Sequence, residues 1–138
     1  MAFWLFKTEA AAWSWEQQKK KAALGEPWSG VRNHQAANNM KAMVKGDLGF
    51  FYHSGEERRI VGIVEVICTY KSDPTDETGK FGLVAVKAVR DLPKPVSLAE
   101  IKRTPKLGEM MLVKNSRLSV QPVTEAEWKL VCAMGGLD

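Results

Sequence analysis

The run Ile60-Val61-Gly62-Ile63-Val64-Glu65-Val66-Ile67-Cys68 is apolar on both faces of an extended chain, save at Gly62 and Glu65. A strand with one wet face alternates polar and apolar residues, so a strand like this one needs cover on both sides. A curled, barrel-like sheet packed inside and out supplies that cover, and Gly62 permits the bend. The run is broken by Glu65 and is far too short to span a bilayer, so no membrane partner is expected.

The flanking segments fit such a sheet. Phe3–Lys7 reads as a short strand, Leu48–His53 as an aromatic-rich strand, and Arg59–Tyr70 as its hairpin partner across Ser54-Gly55-Glu56-Glu57. Phe81–Asp91 follows the turn at Ser72–Asp76, and Pro93 and Pro95 are expected to end it. Leu118–Val123 reads as the last strand. Ser14 with Gln17, Ser97 with Glu100, and Thr124 with Glu127 are three capping boxes, each opening a short helix. A further helical stripe runs from Asn33 through Ala36, Met40 and Val44, with Lys45-Gly46 as its stop signal. The reading is α+β: five or six mostly antiparallel strands with short flanking helices.

No linker or repeat divides the 138 residues, so 1–138 is read as one domain. A chain of this length buries about 65–70% of its unfolded surface, enough for a core without staples. Cys68 and Cys132 lie far apart in apolar stretches, and His34 and His53 are 19 residues apart, so neither a metal nor another cofactor is expected. The N-terminus shows no secretory pattern, which points to a cytoplasmic protein, nucleoid-associated if its ligand is DNA.

The formal charge of +4 and pI near 9.1 are compatible with nucleic acid without requiring it. Each basic cluster taken singly reads as a solvated face. Neither a P-loop, a GxGxxG, an HExxH nor a GxSxG is present. His53 is a conceivable general base, but no nucleophile–base–orienter set can be named, so the chain is read as a non-enzyme.

The loop Trp28-Ser29-Gly30-Val31-Arg32-Asn33 is the most suggestive stretch. Trp28 serves either as a lid over the core or as a stacking surface for a planar ligand. Stacking contributes roughly 1–3 kcal/mol per base. Arg32 brings a donor fork, and Asn33 an amide that both donates and accepts. Asn33 serves equally as an N-cap for the following helix. Phe50-Phe51-Tyr52-His53-Ser54 alternates so that Phe50 and Tyr52 face one way and Phe51 and His53 the other. His53 and Ser54 stand at a strand end, at a pocket mouth or in purely structural roles.

Five blocks stand in one order: Phe3-Trp4-Leu5-Phe6-Lys7-Thr8-Glu9, Trp28–Ala36, Gly46–Ser54, Ile60–Val66, and Arg117-Leu118-Ser119-Val120-Gln121-Pro122-Val123. Together they resemble the EVE domain family, PUA-like proteins that include the thymocyte nuclear proteins and are related to YTH domains. The resemblance spans Phe3 to Trp128. It implies a PUA-like pseudo-β-barrel that recognises a flipped modified base, such as a modified cytosine in DNA, through an aromatic cage. A modified-RNA reader and a nucleotide-acting hydrolase using His53 are the alternatives. By this resemblance Trp28 is the cage tryptophan, with Ser29 beside it. Asn33, His53 and Ser54 fall on the rim, Lys7 and Thr8 end the first strand near it, and Leu118, Ser119 and Gln121 close the far wall. Arg32 joins the pocket, while Lys41, Arg58, Arg59, Lys114 and Arg117 are the expected phosphate contacts. The partner implied is nucleic acid containing modified bases. The chain departs from the family pattern in having Ala10 after Glu9 and a short segment from Asp73-Pro74-Thr75 to Phe81. Any cage ring supplied by a longer insertion there is missing.

Overall fold

In the computed structural model, which describes residues 2–137, β1 (Phe3–Glu9) leads through α1 (Trp15–Lys20) and a 3-10 turn to β2 (Glu26–Pro27) and α2 (His34–Lys41). Then come β3 (Leu48–Ser54), β4 (Arg59–Ser72), β5 (Gly82–Ser97), α3 (Leu98–Lys102), a second 3-10 turn, α4 (Met111–Lys114), β6 (Val120–Val123) and α5 (Glu125–Met134). All three capping boxes form: Ser14, Ser97 and Thr124 accept from the backbone three residues on, and Gln17, Glu100 and Glu127 reach back.

The strands make one six-stranded sheet in the order β2-β5-β4-β3-β1-β6. Four of the five pairings are antiparallel, and β1 with β3 is parallel. The two edges, β2 and β6, do not pair with each other, so hydrogen bonds do not close the barrel. Helix α2 packs against β4, β5 and β6 instead and spans the opening. Asn39 Nδ2 donates to Val120 O at 2.8 Å, covering the bare edge of β6. This is the α+β pseudo-barrel expected.

β4 is covered on both sides, as its composition requires. Val61, Val64 and Val66 enter an inner core with Phe6, Trp15, Trp28, Phe51 and Met40. Ile60 and Ile63 enter an outer core with Leu5, Phe50, Ile101, Leu112 and Trp128. Register shifts between Ile60 and Gly62, and between Ile63 and Val64, break strict alternation and let the strand serve both cores. Each such side chain, fully buried, contributes about 1.5–3 kcal/mol. At Gly62 a Cβ would run into the Trp15 ring, so glycine here admits the ring as well as the bend.

Two expectations need correction, and two elements are additional. Pro93 and Pro95 do not end β5, which runs on to Ser97. The β4–β5 ladder skips from Asp91 to Val96, so neither proline lacks a bond that the sheet requires. Helix α2 stops at Lys41 with Ala42 as its cap, four residues before Gly46. Gly46, at φ 98°, instead turns the chain into β3 and donates to Val66 O at 2.9 Å. Finally, β2 and α4 were not foreseen, being too short to show a period.

Candidate functional site

A cleft of about 360 Å³ opens where the ends of β1 and β2 meet the loop before β6. Six of the expected residues line it: Lys7, Thr8, Trp28, Ser29, Arg32 and Ser119. β1 brings Lys7 and Thr8 beside Ser119 because the Lys7 N–H donates to Ser119 O at 2.8 Å. Trp28 prolongs β2 by donating its N–H to Val84 O at 2.7 Å. Its ring meets Phe6 and Phe51 nearly edge-on, at 5.3 and 5.8 Å between centroids. With 8% of its surface exposed, Trp28 is both core and cleft floor.

Trp13, to which no pattern in the sequence had drawn attention, is the second ring of the cleft. Its indole N–H donates to Gln18 Oε1 at 2.9 Å, and Gln18, fully buried, donates in turn to Val86 O at 3.1 Å. Such a chain sets the ring's orientation. A signal does exist: an aromatic residue directly before the Ser14 cap, where a hydrophobic staple residue belongs. The cleft is thus a partly exposed Trp13 wall beside a Trp28 floor.

The loop that follows Trp28 is held by Asp73, from the short turn after β4. Its carboxylate accepts from Gly30 N–H at 2.8 Å, Thr75 N–H at 2.8 Å and Thr75 Oγ1 at 2.6 Å, and it meets Arg32 Nη1 at 3.2 Å. Burial pushes the Asp73 pKa up, but the Thr75, Gly30 and Arg32 hydrogen bonds outweigh it and hold the group at about 2. Arg32 also reaches Thr75 Oγ1 at 3.0 Å and lies 5.9 Å from the Phe81 ring. The short Asp73–Phe81 segment, where a ring was expected to be missing, therefore serves as a brace.

Other expected site residues lie elsewhere. Asn33 caps α2, its Oδ1 accepting from Ala36 N–H at 2.9 Å, and does not line the cleft. His53 is 7% exposed, and its Nε2 accepts from the Trp15 N–H at 3.0 Å while Nδ1 meets Glu57 Oε1 at 3.0 Å. Both ring nitrogens are engaged, so the imidazole is structural here, stacked edge-on against Phe51. Ser54 lines a different groove, with Glu9, Gly55, Glu56 and Glu57. Leu118 is buried in the inner core beneath the cleft. Gln121 is also buried, its Nε2 donating to Asn115 O and Leu118 O, so it braces the loop that presents Ser119.

The basic residues divide too. Arg59 pairs with Glu57 at 3.2 Å, and Arg58, at a φ of 48°, donates to Gly55 O; both sit on the acidic hairpin. Lys114 pairs with Glu109 at 2.8 Å. Lys41, exposed at the end of α2, lies over the Tyr70 ring at 5.5 Å, and Arg117 is exposed two residues before Ser119. Lys7 Nζ donates to Ser116 O beside the Tyr52 ring, and burial lowers its pKa.

A model of the EVE domain matches residues 2–134. A protein of Agrobacterium tumefaciens, 54% identical, superposes with a TM-score of 0.96 over 99% of this chain and 94% of that one. The human THYN1 protein, solved in complex with 5-methylcytosine-containing DNA, is 29% identical with a TM-score of 0.93, over 100% of this chain and 99% of that one. The YTH domain of Zygosaccharomyces rouxii MRB1, solved with N6-methyladenosine RNA, shares the fold alone: 18% identity and a TM-score of 0.59 over 97% and 86% of the two chains.

Proposed function

The chain belongs to the EVE domain family, and from that premise we propose that it binds nucleic acid by taking a modified base, such as a modified cytosine in DNA, into the Trp13–Trp28 cleft. The observation that carries this reading is the convergence of two indole rings with Ser29, Arg32, Thr8 and Ser119 in one cleft. The human THYN1 protein, of nearly the same fold, holds 5-methylcytosine-containing DNA.

Extruding a base from a duplex costs a few kcal/mol. Stacking offsets about 1–3 kcal/mol of that per base. Desolvating the ring faces inside a cleft adds to the gain, and the hydroxyls of Thr8, Ser29 and Ser119 give the base edge donors and acceptors. Arg32, which lines the cleft, and exposed Arg117, two residues before Ser119, supply positive charge for the flanking phosphates. No catalytic role is assigned. Neither ring nitrogen of His53 is available as a base, since Trp15 N–H and Glu57 occupy both.

The test is an anisotropy titration with oligonucleotides carrying cytosine, 5-methylcytosine, 5-hydroxymethylcytosine or N6-methyladenine, in DNA and RNA forms. One modified oligonucleotide should bind tightest, and Trp13→Ala, which leaves the deeper Trp28 in the core, should abolish that preference while retaining weak non-specific binding. Equal weak binding to every oligonucleotide would refute the proposal.

A further inference from the structure

We propose that Glu26 selects the class of base: its carboxylate accepts a hydrogen bond from the exocyclic amine of a cytosine or adenine held against Trp28, favouring these bases over thymine and uracil. The inference rests on the modified-base reading above.

Glu26 pairs with Val86 in β2, and Trp28 continues the same extended run through its bond to Val84 O. Residues two apart on an extended chain project to one face, about 6–7 Å apart. Glu26 and Trp28 both line the cleft, and extended alternation sets their side chains on one face of the strand. Among the described residues Glu26 is the single carboxylate lining this cleft. A carboxylate opposes a polyanionic ligand unless a donor meets it, which makes its presence beside the stacking floor informative. Lys21 Nζ approaches Oε1 at 3.4 Å and offsets the charge, while Glu26 keeps 27% of its side chain exposed. Among the described residues no donor within hydrogen-bonding distance is found for Oε2.

The remaining polar side chains of the cleft, Trp13 apart, are donors or can act as either partner: Lys7, Arg32, Thr8, Ser29 and Ser119. Trp13 has spent its N–H on Gln18. Among the described residues Glu26 is thus the one side chain of the cleft that acts solely as an acceptor, and an amino group can donate to it without competing for a donor. Cytosine and adenine each carry such a group, and carboxylate acceptance from the cytosine amine is an established geometry of base reading. Thymine and uracil present a carbonyl oxygen at that place, which sets lone pairs against the carboxylate and so disfavours them.

5-Methylcytosine and thymine differ at the pyrimidine edge by amine against carbonyl at C4 and by a bare against a protonated N3, with the methyl group and the stacking face retained. We would measure binding of duplexes carrying either base opposite an abasic site, so that no Watson–Crick pair must be broken in either. Wild type should prefer 5-methylcytosine by at least about tenfold. Glu26→Gln presents an amide that can donate or accept, and the preference should shrink to about twofold or less. Lys21→Met breaks the same ion pair but keeps the carboxylate, and the preference should survive. A wild-type ratio near one, with Trp13-dependent binding intact, would overturn the role of Glu26 alone. So would a Glu26→Gln variant that still discriminates, or a Lys21→Met variant that loses discrimination equally. Absence of any Trp13-dependent binding would bring down the modified-base reading and this inference together.

Discussion

Thr8 lines the Trp13–Trp28 cleft, and Glu9, the next residue of β1, lines the groove at the β3–β4 hairpin. The two regions share a vocabulary of rings, hydroxyls, cations and carboxylates, yet they use it differently. In the hairpin the imidazole of His53 bridges Trp15 and Glu57, Glu57 also holds Arg59, and Arg58 closes the turn on Gly55. Those groups satisfy one another. In the cleft, an indole wall, three hydroxyl residues and a carboxylate surround open volume. Residue type therefore does not mark a binding region here; what marks it is hydrogen-bonding capacity and ring surface left over after the fold has been satisfied.

The contrast can be broken most severely at Trp28. Trp28→Ala should destabilise the fold by about 3–5 kcal/mol, since it empties the space beside Phe6 and Phe51, and should also remove base preference. Thermal unfolding and the titration above would read both losses. A large loss of stability with preference retained would leave Trp28 as core alone.

Asp73 comes next. Its pKa is lowered from the ordinary 3.8 to about 2, so the folded state holds fewer protons than the unfolded one between those values. The stabilisation is fully present above pH 3.8 and fades as pH falls toward 2, and it amounts to about 2 kcal/mol. Asp73→Asn should lose that increment at neutral pH, flatten the acid limb of the stability curve and weaken ligand binding by freeing Gly30 and Arg32. Denaturant unfolding at several pH values would check it; an unchanged acid limb would sink the assignment.

His53→Leu should cost about 1–2 kcal/mol by leaving the buried Trp15 N–H without its acceptor, while base preference stays as in wild type. A loss of preference without a loss of stability would return His53 to the site. The smallest effect separates two arginines. Arg117→Ala should lower the salt dependence of binding by about one unit of log–log slope, whereas Arg59→Ala, already paired with Glu57, should leave it unchanged.

Much of the cleft is legible in the amino-acid sequence. Trp28 and Arg32 stand out because a tryptophan among Pro, Ser and Gly has no regular element of its own to fill and an arginine fork stands four residues on, whereas Ser29 is placed at the site by the family resemblance. Lys7, Thr8 and Ser119 enter only through the family resemblance. Trp13 and Glu26 escape notice for different reasons: the staple position of Trp13 before the Ser14 cap accounts for it as a structural residue, and Glu26 lies in a strand of two residues, too short to show a period. His53 and Ser54 were expected at the same pocket because they end a strand, and nothing local says which rim of the sheet that end adjoins. Asn33 keeps two readings in the sequence, and its bond to Ala36 decides for the cap.

The chain alone determined its elements of local origin. The three capping boxes follow from side chain-to-backbone bonds within four residues, and the two-sided burial of β4 follows from a composition that leaves no wet face. What only the tertiary structure decided is which polar groups remain free. The partners of His53, Asp73 and Gln18 include groups brought near by sheet pairing and loop packing, up to 68 residues away in the case of Gln18 and Val86. Hydrogen-bond capacity is consumed by whatever lies within about 3 Å, and proximity at that scale is set by the folded backbone rather than by neighbours in sequence.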